Sequence, residues 1–421
     1  MNFHIITLGC KINQYESQAI TESLARRGLN CSSTPQEAEI IIINSCAVTT
    51  RAVRDLKKCC RRMARQNHTA KIIVTGCAAQ VFEQELQSLD EVAQVVAQTH
   101  KTRFLQGLEQ LESTSCQEQD FFISDFYRSR AIVKVQDGCD HNCTYCIVPQ
   151  TRGVPRSREP QIILQEIEGL LQKGFTEIIM GGINLRLYGR DLSPQKDFWD
   201  LLAFVCRQTM AAPENFRLRM SSLEPSELNS KALDCLNRYN QICPHLHVSL
   251  QSGSPAVLKK MNRSHCNPAE LIRFCNDLKS IWPVYALGAD LLTGFPGETH
   301  EDYLDTFRIM NQLPLTYAHV FPFSLRPGTP AARFSGQISS TLKKERAASL
   351  QAAALCCKQK FLQKVLSQPK LQVVIENENR GMSEYYIECT VLDTFPELPP
   401  RSMIQAQPLS VQDKGLCVKA L

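Results

Sequence analysis

No apolar run in the chain approaches the roughly 18 residues that a membrane-spanning helix needs, so a helical membrane protein is set aside. The opening stretch MNFHIITLGCKINQ has neither a basic start nor a small-residue cleavage site, and no secretory signal is expected there. Internal repeats and low-complexity tracts are absent as well, which excludes solenoids and disordered tails. The basic excess is small: 47 Lys and Arg against 42 acids, a net +5, too mild to demand a nucleic-acid partner by itself. What the chain does have is cysteine. There are 19, an odd number that includes the adjacent pairs Cys59–Cys60 and Cys356–Cys357, in a chain of 421 residues that is far too large for a disulfide-stapled miniprotein. That usage fits a reducing compartment, the cytoplasm, with free thiols and some thiolates serving as metal ligands. An apolar fraction of 43% and a charged fraction of 21% are ordinary for a globular protein. The length is enough for about two to three domains.

Three of the cysteines crowd together. Residues 139–146 read CDHNCTYC, placing Cys139, Cys143 and Cys146 at C-x3-C-x2-C spacing. Three thiolates so close can bind three irons of a cubane cluster, which usually takes four. The missing fourth ligand leaves one iron open to a small molecule. A zinc site would pair C-x2-C with a second such pair or with histidines, and none follows. A zinc-stabilised RNA-binding protein without catalysis is the alternative from a different class.

Apolar patterning divides the chain. In residues 1–100 the runs FHIITL, EIIIIN and KIIVTG alternate with helical stretches at 14–27 and 51–66, the order of a small parallel βαβ sheet. Each run leads directly into a cysteine, so Cys10, Cys46 and Cys77 are expected in loops at the carboxyl ends of neighbouring strands, where open α/β sheets bind ligands. Three cysteines converging there would make a second iron–sulfur site; three buried structural cysteines are the alternative. Residues 101–130, acid-rich and without period, read as a linker. A second series of six βα units fills 131–368, with strands expected at AIVKVQ, TEIIMGG, FRLRMSS, HLHVSL, YALGADLL and TYAHVFPF. Six units are too few for a closed eight-stranded barrel, so an open (β/α)6 partial barrel is expected, with chemistry at the strands' carboxyl ends. A long helix at 341–367 closes this part, and period-2 alternation over 369–421 marks a small all-β domain.

From Arg51 to Lys71 there are eight Lys or Arg and a single acid, Asp55. On a helix, Val53, Leu56, Cys60 and Met63 share one face, while Arg54, Lys58, Arg61 and Arg65 form a basic stripe along another. Such a stripe can follow a phosphate backbone, or it can be a solvated face.

The ordered motifs TLGCKINQYES, INSCAVTTRA, VTGCAAQ, CDHNCTYCIVPQTRGVPRSR, MGGINLRLYG, HLHVSLQSGS, LGADLLTGFPGETHEDY and HVFPFSLRPGTPA resemble those of the radical S-adenosylmethionine (SAM) methylthiotransferases over essentially the whole length. GCKINQYES and RGVPRSR are most similar to the threonylcarbamoyladenosine tRNA branch; Lys11, Ile12 and Asn13 after the first cysteine fit neither the isopentenyladenosine branch nor the ribosomal-protein branch, which are the alternatives. The resemblance implies a methylthiotransferase domain, a radical-SAM core and a C-terminal TRAM domain. It implies that Cys139, Cys143 and Cys146 bind a 4Fe–4S cluster whose open iron chelates SAM, giving a 5′-deoxyadenosyl radical on reduction, and that Cys10, Cys46 and Cys77 bind an auxiliary 4Fe–4S cluster suited to hold sulfur. Tyr145, Gly181, Gly182, Ser249, Gln251 and Asp290 fall where contacts to SAM are implied, with a turn or a helix cap as the competing reading for the glycines and Asp290. The implied reaction is methylthiolation of carbon 2 of N6-threonylcarbamoyladenosine at position 37 of tRNA. Its implied partners are the tRNA anticodon stem-loop and an electron donor such as flavodoxin or ferredoxin; the Arg54, Lys58, Arg61, Arg65 stripe, read from its charge pattern, is expected to grip the stem-loop phosphates. In the TRAM-like domain, seven acids against five Lys or Arg leave RNA contact to placed residues such as Arg380 and Lys414.

Overall fold

The computed structural model describes residues 1–109, 121–210, 216–392, 398–413 and 415–421, so the middle of the expected linker and Lys414 lie outside the described residues. The chain forms two compact units. The first comprises Met1–Phe126, Asp137–Arg156 and Ser324–Ala332. It contains strands β1 (Asn2–Thr7), β2 (Asn30–Cys31), β3 (Ile40–Ser45), β4 (Lys71–Gly76) and β5 (Gln94–Ala97), all parallel in the order β2-β1-β3-β4-β5. Four successive isoleucines open β3, and all six of its residues are buried. A strand covered on both faces needs no in–out alternation. Helices α1 (Lys11–Arg26) and α2 (Thr50–Gln66) match the expected segments. Thr49 caps α2 by accepting from the Ala52 amide at 3.1 Å, and Val53, Leu56, Cys60 and Met63 are buried together with Cys59.

Cys77 departs from the expected loop. It is the first residue of a short helix, α3 (Cys77–Val81), because Gly76, at φ 98°, turns β4 straight into helix. Two more short helices follow, α4 (Glu83–Gln87) and α5 (Val148–Arg152). The stretch read as a linker begins as a 3-10 segment ending at Gln106. Beyond the undescribed residues, Phe121 O accepts from the Tyr15 hydroxyl at 2.7 Å and the Ser124 amide donates to Glu22 at 2.8 Å. These ends are packed parts of the first unit, not a free spacer.

The second unit comprises Tyr127–Gln136, Ser157–Phe323 and Arg333–Leu421. Strands β6 (Ala131–Asp137), β7 (Arg156–Ser157), β8 (Glu177–Gly182) and β9 (Arg217–Met220) form one sheet in the order β7-β6-β8-β9, and β10 (His245–Gln251), β11 (Ala286–Thr293) and β12 (Tyr317–Pro322) form another. Parallel bridges Leu218–Ile242 and Leu223–Val248 join the two across β9 and β10. The result is the open six-strand barrel. Its helices are α6 (Pro160–Gln172), α7 (Phe198–Gln208), α8 (Ser230–Arg238), α9 (Pro255–Lys260), α10 (Pro268–Ile281) and α11 (His300–Gln312). Reciprocal capping boxes, Asp197 with Asp200 and Thr299 with Asp302, start α7 and α11.

The C-terminal strands β13 (Leu371–Asn377), β14 (Arg380–Ser383), β15 (Glu388–Leu392), β16 (Met403–Gln412) and β17 (Gly415–Ala420) close a small barrel. Phe361, Leu362 and Val365, from the long helix α12 (Ser340–Leu366), complete its core. A buried ionic knot also ties it to the partial barrel. Glu177 accepts from Arg219 at 2.7 Å and Arg217 at 2.6 Å, while those guanidiniums donate on to the carbonyls of Ser383 at 3.0 Å and Met382 at 2.8 Å. Among the described residues no helix is long and apolar enough to cross a membrane.

Candidate functional site

Cys10, Cys46 and Cys77 follow β1, β3 and β4, three adjacent parallel strands whose register sets Thr7 beside Asn44 and Ser45 beside Gly76. Glycine lets their loops meet. A Cβ on Gly9 would stand 2.5 Å from the Cβ of Cys46, and one on Gly76 would stand 2.4 Å from Ser45 O. The residue before Cys10 and the residue before Cys77 therefore both press on the Cys46 loop. Asn13 fastens the contact, donating through Nδ2 to Leu8 O and Ser45 O, each at 2.9 Å. Asn44 Nδ2 returns a bond to Asn13 O at 2.9 Å. Cys46 and Cys77 are buried and Cys10 is exposed, and no disulfide involves any of the three. Burial pushes the Cys46 thiol up to about 11, with Cys77 and Cys10 acting in the same direction, so metal binding there would release a proton. Three thiols, two from loops after β1 and β3 and one from the first residue of α3, fit a cubane that leaves one iron for another ligand.

Cys139, Cys143 and Cys146 are half-buried. Their loop leaves β6 through Gly138, at φ 71°, where a Cβ would stand 2.0 Å from Val154 O. The Cys139 amide donates to Gly153 O at 3.0 Å, and the Cys146 amide donates to Cys143 O at 2.9 Å. The Ala331 amide donates to Thr144 O at 2.8 Å, next to the half-buried Tyr145. This donor set is again three sulfurs, and it fits the same kind of cluster.

Sequence reasoning missed the charges behind these loops. Arg152, at the end of α5, donates to Asp137 at 2.8 Å, Glu16 at 2.9 Å and Asn13 Oδ1 at 2.7 Å. Lys101 donates to Glu16 at 2.6 Å and to Asn44 Oδ1 at 2.9 Å, with both Lys101 and Glu16 wholly inaccessible. The one available signal was a charged residue inside each quoted motif, Glu16 in GCKINQYES and Arg152 in PQTRG.

In the partial barrel, Gly181 and Gly182 end β8, and a Cβ on Gly182 would stand 2.9 Å from Leu185 and 3.1 Å from Gln136. Ser249 and Gln251 end β10, where the pairing to β11 slips between Val248 and Gln251 and Gln251 takes φ 66°. Asp290 lies within β11 opposite this slip, so Ser249, Gln251 and Asp290 come from neighbouring positions. Asp290 caps no helix; its Oδ1 lies 3.1 Å from His247 Nε2. Tyr317 Oη joins His247 Nδ1 at 3.0 Å and His245 Nε2 at 2.7 Å, and a Cβ on Gly288 would stand 2.2 Å from the Tyr317 ring. This histidine–tyrosine floor was also missed, although His245, His247, Tyr317 and His319 recur at period 2 in their strands.

Arg54, Lys58, Arg61 and Arg65 are all exposed on α2. Arg61 Nε lies 3.8 Å from the half-buried Glu91, a long contact from an exposed cation and therefore weak.

A C-x3-C-x2-C loop following the first strand of an open six-strand barrel defines the radical SAM class. Residues 133–310 match the Radical SAM superfamily, and residues 2–98 match the uncharacterized protein family UPF0004. A radical SAM methyltransferase, TsrM from Kitasatospora setae, shares the fold at a TM-score of 0.57 and 13% identity, over 79% of this chain and 75% of that one. Threonylcarbamoyladenosine tRNA methylthiotransferase MtaB of Rickettsia prowazekii is 35% identical over 91% of this chain and 90% of its own length. MtaB of Thermotoga maritima is 33% identical over 93% and 89%. A tRNA-2-methylthio-N(6)-dimethylallyladenosine synthase of Lawsonia intracellularis is 32% identical over 84% and 82%. The chain belongs to the radical SAM tRNA methylthiotransferases. It is an enzyme that uses SAM and two 4Fe–4S clusters, and the non-catalytic zinc alternative falls away.

Proposed function

We propose that this enzyme replaces the C2 hydrogen of N6-threonylcarbamoyladenosine at position 37 of tRNA by a methylthio group. The observation that carries the reading is the convergence of Cys10, Cys46 and Cys77 at the carboxyl ends of adjacent strands, their backbones pressed together at Gly9 and Gly76, beside a second, separate triplet. Two three-thiolate sets serve two tasks. Cys139, Cys143 and Cys146 hold the cluster that binds SAM; Cys10, Cys46 and Cys77 hold the auxiliary one. When bound, these groups supply a carbon radical and a sulfur donor, which an aromatic C–H without acidity or leaving group requires. The chain's own residues bind and orient. Gly181 and Gly182 admit the SAM amino-acid moiety to the backbone, Ser249, Gln251 and Asp290 offer polar contacts from adjacent strands, and Tyr145 packs by the adenine. The exposed cations of α2 hold the anticodon stem-loop by its phosphates, contacts that position without reading sequence. The target base leaves the loop's stack to be reached, which costs less in a loop than in a duplex. A flavodoxin or ferredoxin in the cytoplasm supplies the electron.

The substrate rests on the MtaB names of the relatives and on Lys11–Asn13; the Lawsonia relative makes dimethylallyladenosine the second reading. Mass spectrometry of tRNA nucleosides from a strain lacking this gene separates them. Loss of 2-methylthio-N6-threonylcarbamoyladenosine with retention of the dimethylallyl nucleoside supports the proposal, and the reverse pattern overturns it.

A further inference from the structure

Arg152 forms ion pairs or hydrogen bonds with groups flanking both cysteine triplets, all inside the first compact unit. Asp137 stands two residues before Cys139, and Arg152 stands six after Cys146. Their pairing, at 2.8 and 3.1 Å, closes the segment between them into a ring around that triplet. The same guanidinium reaches Asn13, three residues after Cys10, and Glu16 one helical turn from it. Glu16 passes the connection to Lys101, and Lys101 passes it to Asn44, two residues before Cys46. The path Asp137–Arg152–Glu16–Lys101–Asn44 is thus continuous from one triplet to the other. The side chains of Arg152, Glu16 and Lys101 are 1%, 0% and 0% exposed.

Burying such charges costs several kcal/mol per ion, and apolar side chains of like volume commonly serve stability as well or better. What apolar packing does not supply is direction. A guanidinium fork satisfied by Asp137, Glu16 and Asn13 together fixes their mutual geometry. Lysine, a point charge on a flexible stem, would not.

Resting on the cluster assignment above, we propose that Arg152 is a positioning residue that locks the Cys139–Cys146 loop against the Cys10 and Cys46 loops and so sets the separation of the two clusters. A transfer between groups held on the two clusters depends on that separation. Misplacement by about an ångström is worth up to about a hundredfold in rate.

The test uses the full chain, reconstituted anaerobically, as R152Q and R152K. Both should load about eight irons, because neither removes a ligand. In both, the spin–spin interaction between the two reduced clusters should differ from wild type in the electron paramagnetic resonance spectrum. The ratio of 5′-deoxyadenosine to methylthiolated tRNA should rise about tenfold or more in R152Q and less in R152K, since uncoupled SAM cleavage needs one cluster and product needs both. A purely structural residue would lower iron content and leave that ratio alone. Full loading with the wild-type spectrum and ratio overturns the positioning role while leaving the cluster assignment standing. Failure of both variants to fold overturns it too, reducing Arg152 to a stability element. Wild-type protein that loads iron for a single cluster overturns the assignment and this inference together.

Discussion

Replacing Gly76 by alanine should cost the enzyme its auxiliary cluster and spare the other. The new Cβ would stand 2.4 Å from Ser45 O, 2.6 Å from Ser45 N and 2.7 Å from Asn44 Oδ1. The first two are backbone, and Ser45 is paired with Gly76 in the β3–β4 ladder, so it cannot yield without breaking that pairing. Overpacking of this kind costs about 1–3 kcal/mol. The Gly76 φ of 98° with ψ of −167° lies in a region that is close to glycine-only and adds about 1–3 kcal/mol for a residue with a side chain. Together the change should cost about 2–6 kcal/mol. Gly28 provides the control. It has φ 82° but nothing within 4 Å of its would-be Cβ, so G28A should pay only the backbone part, about 1–2 kcal/mol. Urea unfolding of both variants sets the crowded glycine against the uncrowded one. Iron analysis after anaerobic reconstitution then shows whether the Cys10–Cys46–Cys77 geometry survived. G76A should hold about half the wild-type iron and still cleave SAM. G76A no less stable than G28A, with full iron, would refute the claim that Gly76 sets the approach of these loops.

Changing Cys139, Cys143 and Cys146 together to alanine should leave about half the iron and abolish SAM cleavage; loss of all iron would show that the triplets are not independent. R61Q with R65Q should weaken all cognate tRNAs alike and lower the log–log salt slope of binding by roughly 1–2, leaving tRNA-independent SAM cleavage untouched; an unchanged slope returns α2 to a solvated face. E177Q should destabilise the second unit by about 3–5 kcal/mol in urea at pH 7, because Arg217 and Arg219 are left short of a counter-charge. Burial alone would raise the Glu177 pKa, but Arg219 and Arg217 hold it well below the usual carboxylate range. Its contribution is therefore complete above about pH 4.3 and is lost only as pH falls toward the folded value. The gap between wild type and E177Q should be flat from pH 8 to 5 and close in acid; a gap that closes on going alkaline would contradict the assignment.

Much of this layout was legible because local rules and the final fold agree. The three helices expected at 14–27, 51–66 and 341–367 lie within a few residues of α1, α2 and α12. Cys10, Cys46 and Cys77 could be placed at one sheet edge because parallel β-strands with short runs leave no other site for the residues that follow them. Cys77 was misplaced into a loop by a narrower effect: one glycine at positive φ lets a strand become a helix with no connecting residue. The ends of the expected linker are held by hydrogen bonds that low apolar content hides. Tyr15 to Phe121 and Glu22 to Ser124 are tertiary contacts with no period to betray them.

The buried charges show where this kind of reading stops and why. A charged residue in a sequence is, by prior, a surface residue, and Glu16 and Arg152 have no spacing that contradicts the prior. Glu16 finds its partners Lys101 and Arg152 at 85 and 136 residues' distance, and Arg152 has a nearer one in Asp137, 15 residues away. An ion inside a protein is tolerable only when its counter-ion is already fixed nearby, so its place cannot be inferred before the fold that supplies the partner. Cysteine is the opposite case: the cluster needs several thiolates within bonding distance of each other, and proximity in sequence or at one sheet edge is the visible trace of that demand. Ligands therefore announce themselves and the groups that aim them do not. On this reasoning the residues that set how two clusters face one another will be found among charged side chains that look ordinary in the sequence and are wholly enclosed in the structure, as Glu16, Lys101 and Arg152 are.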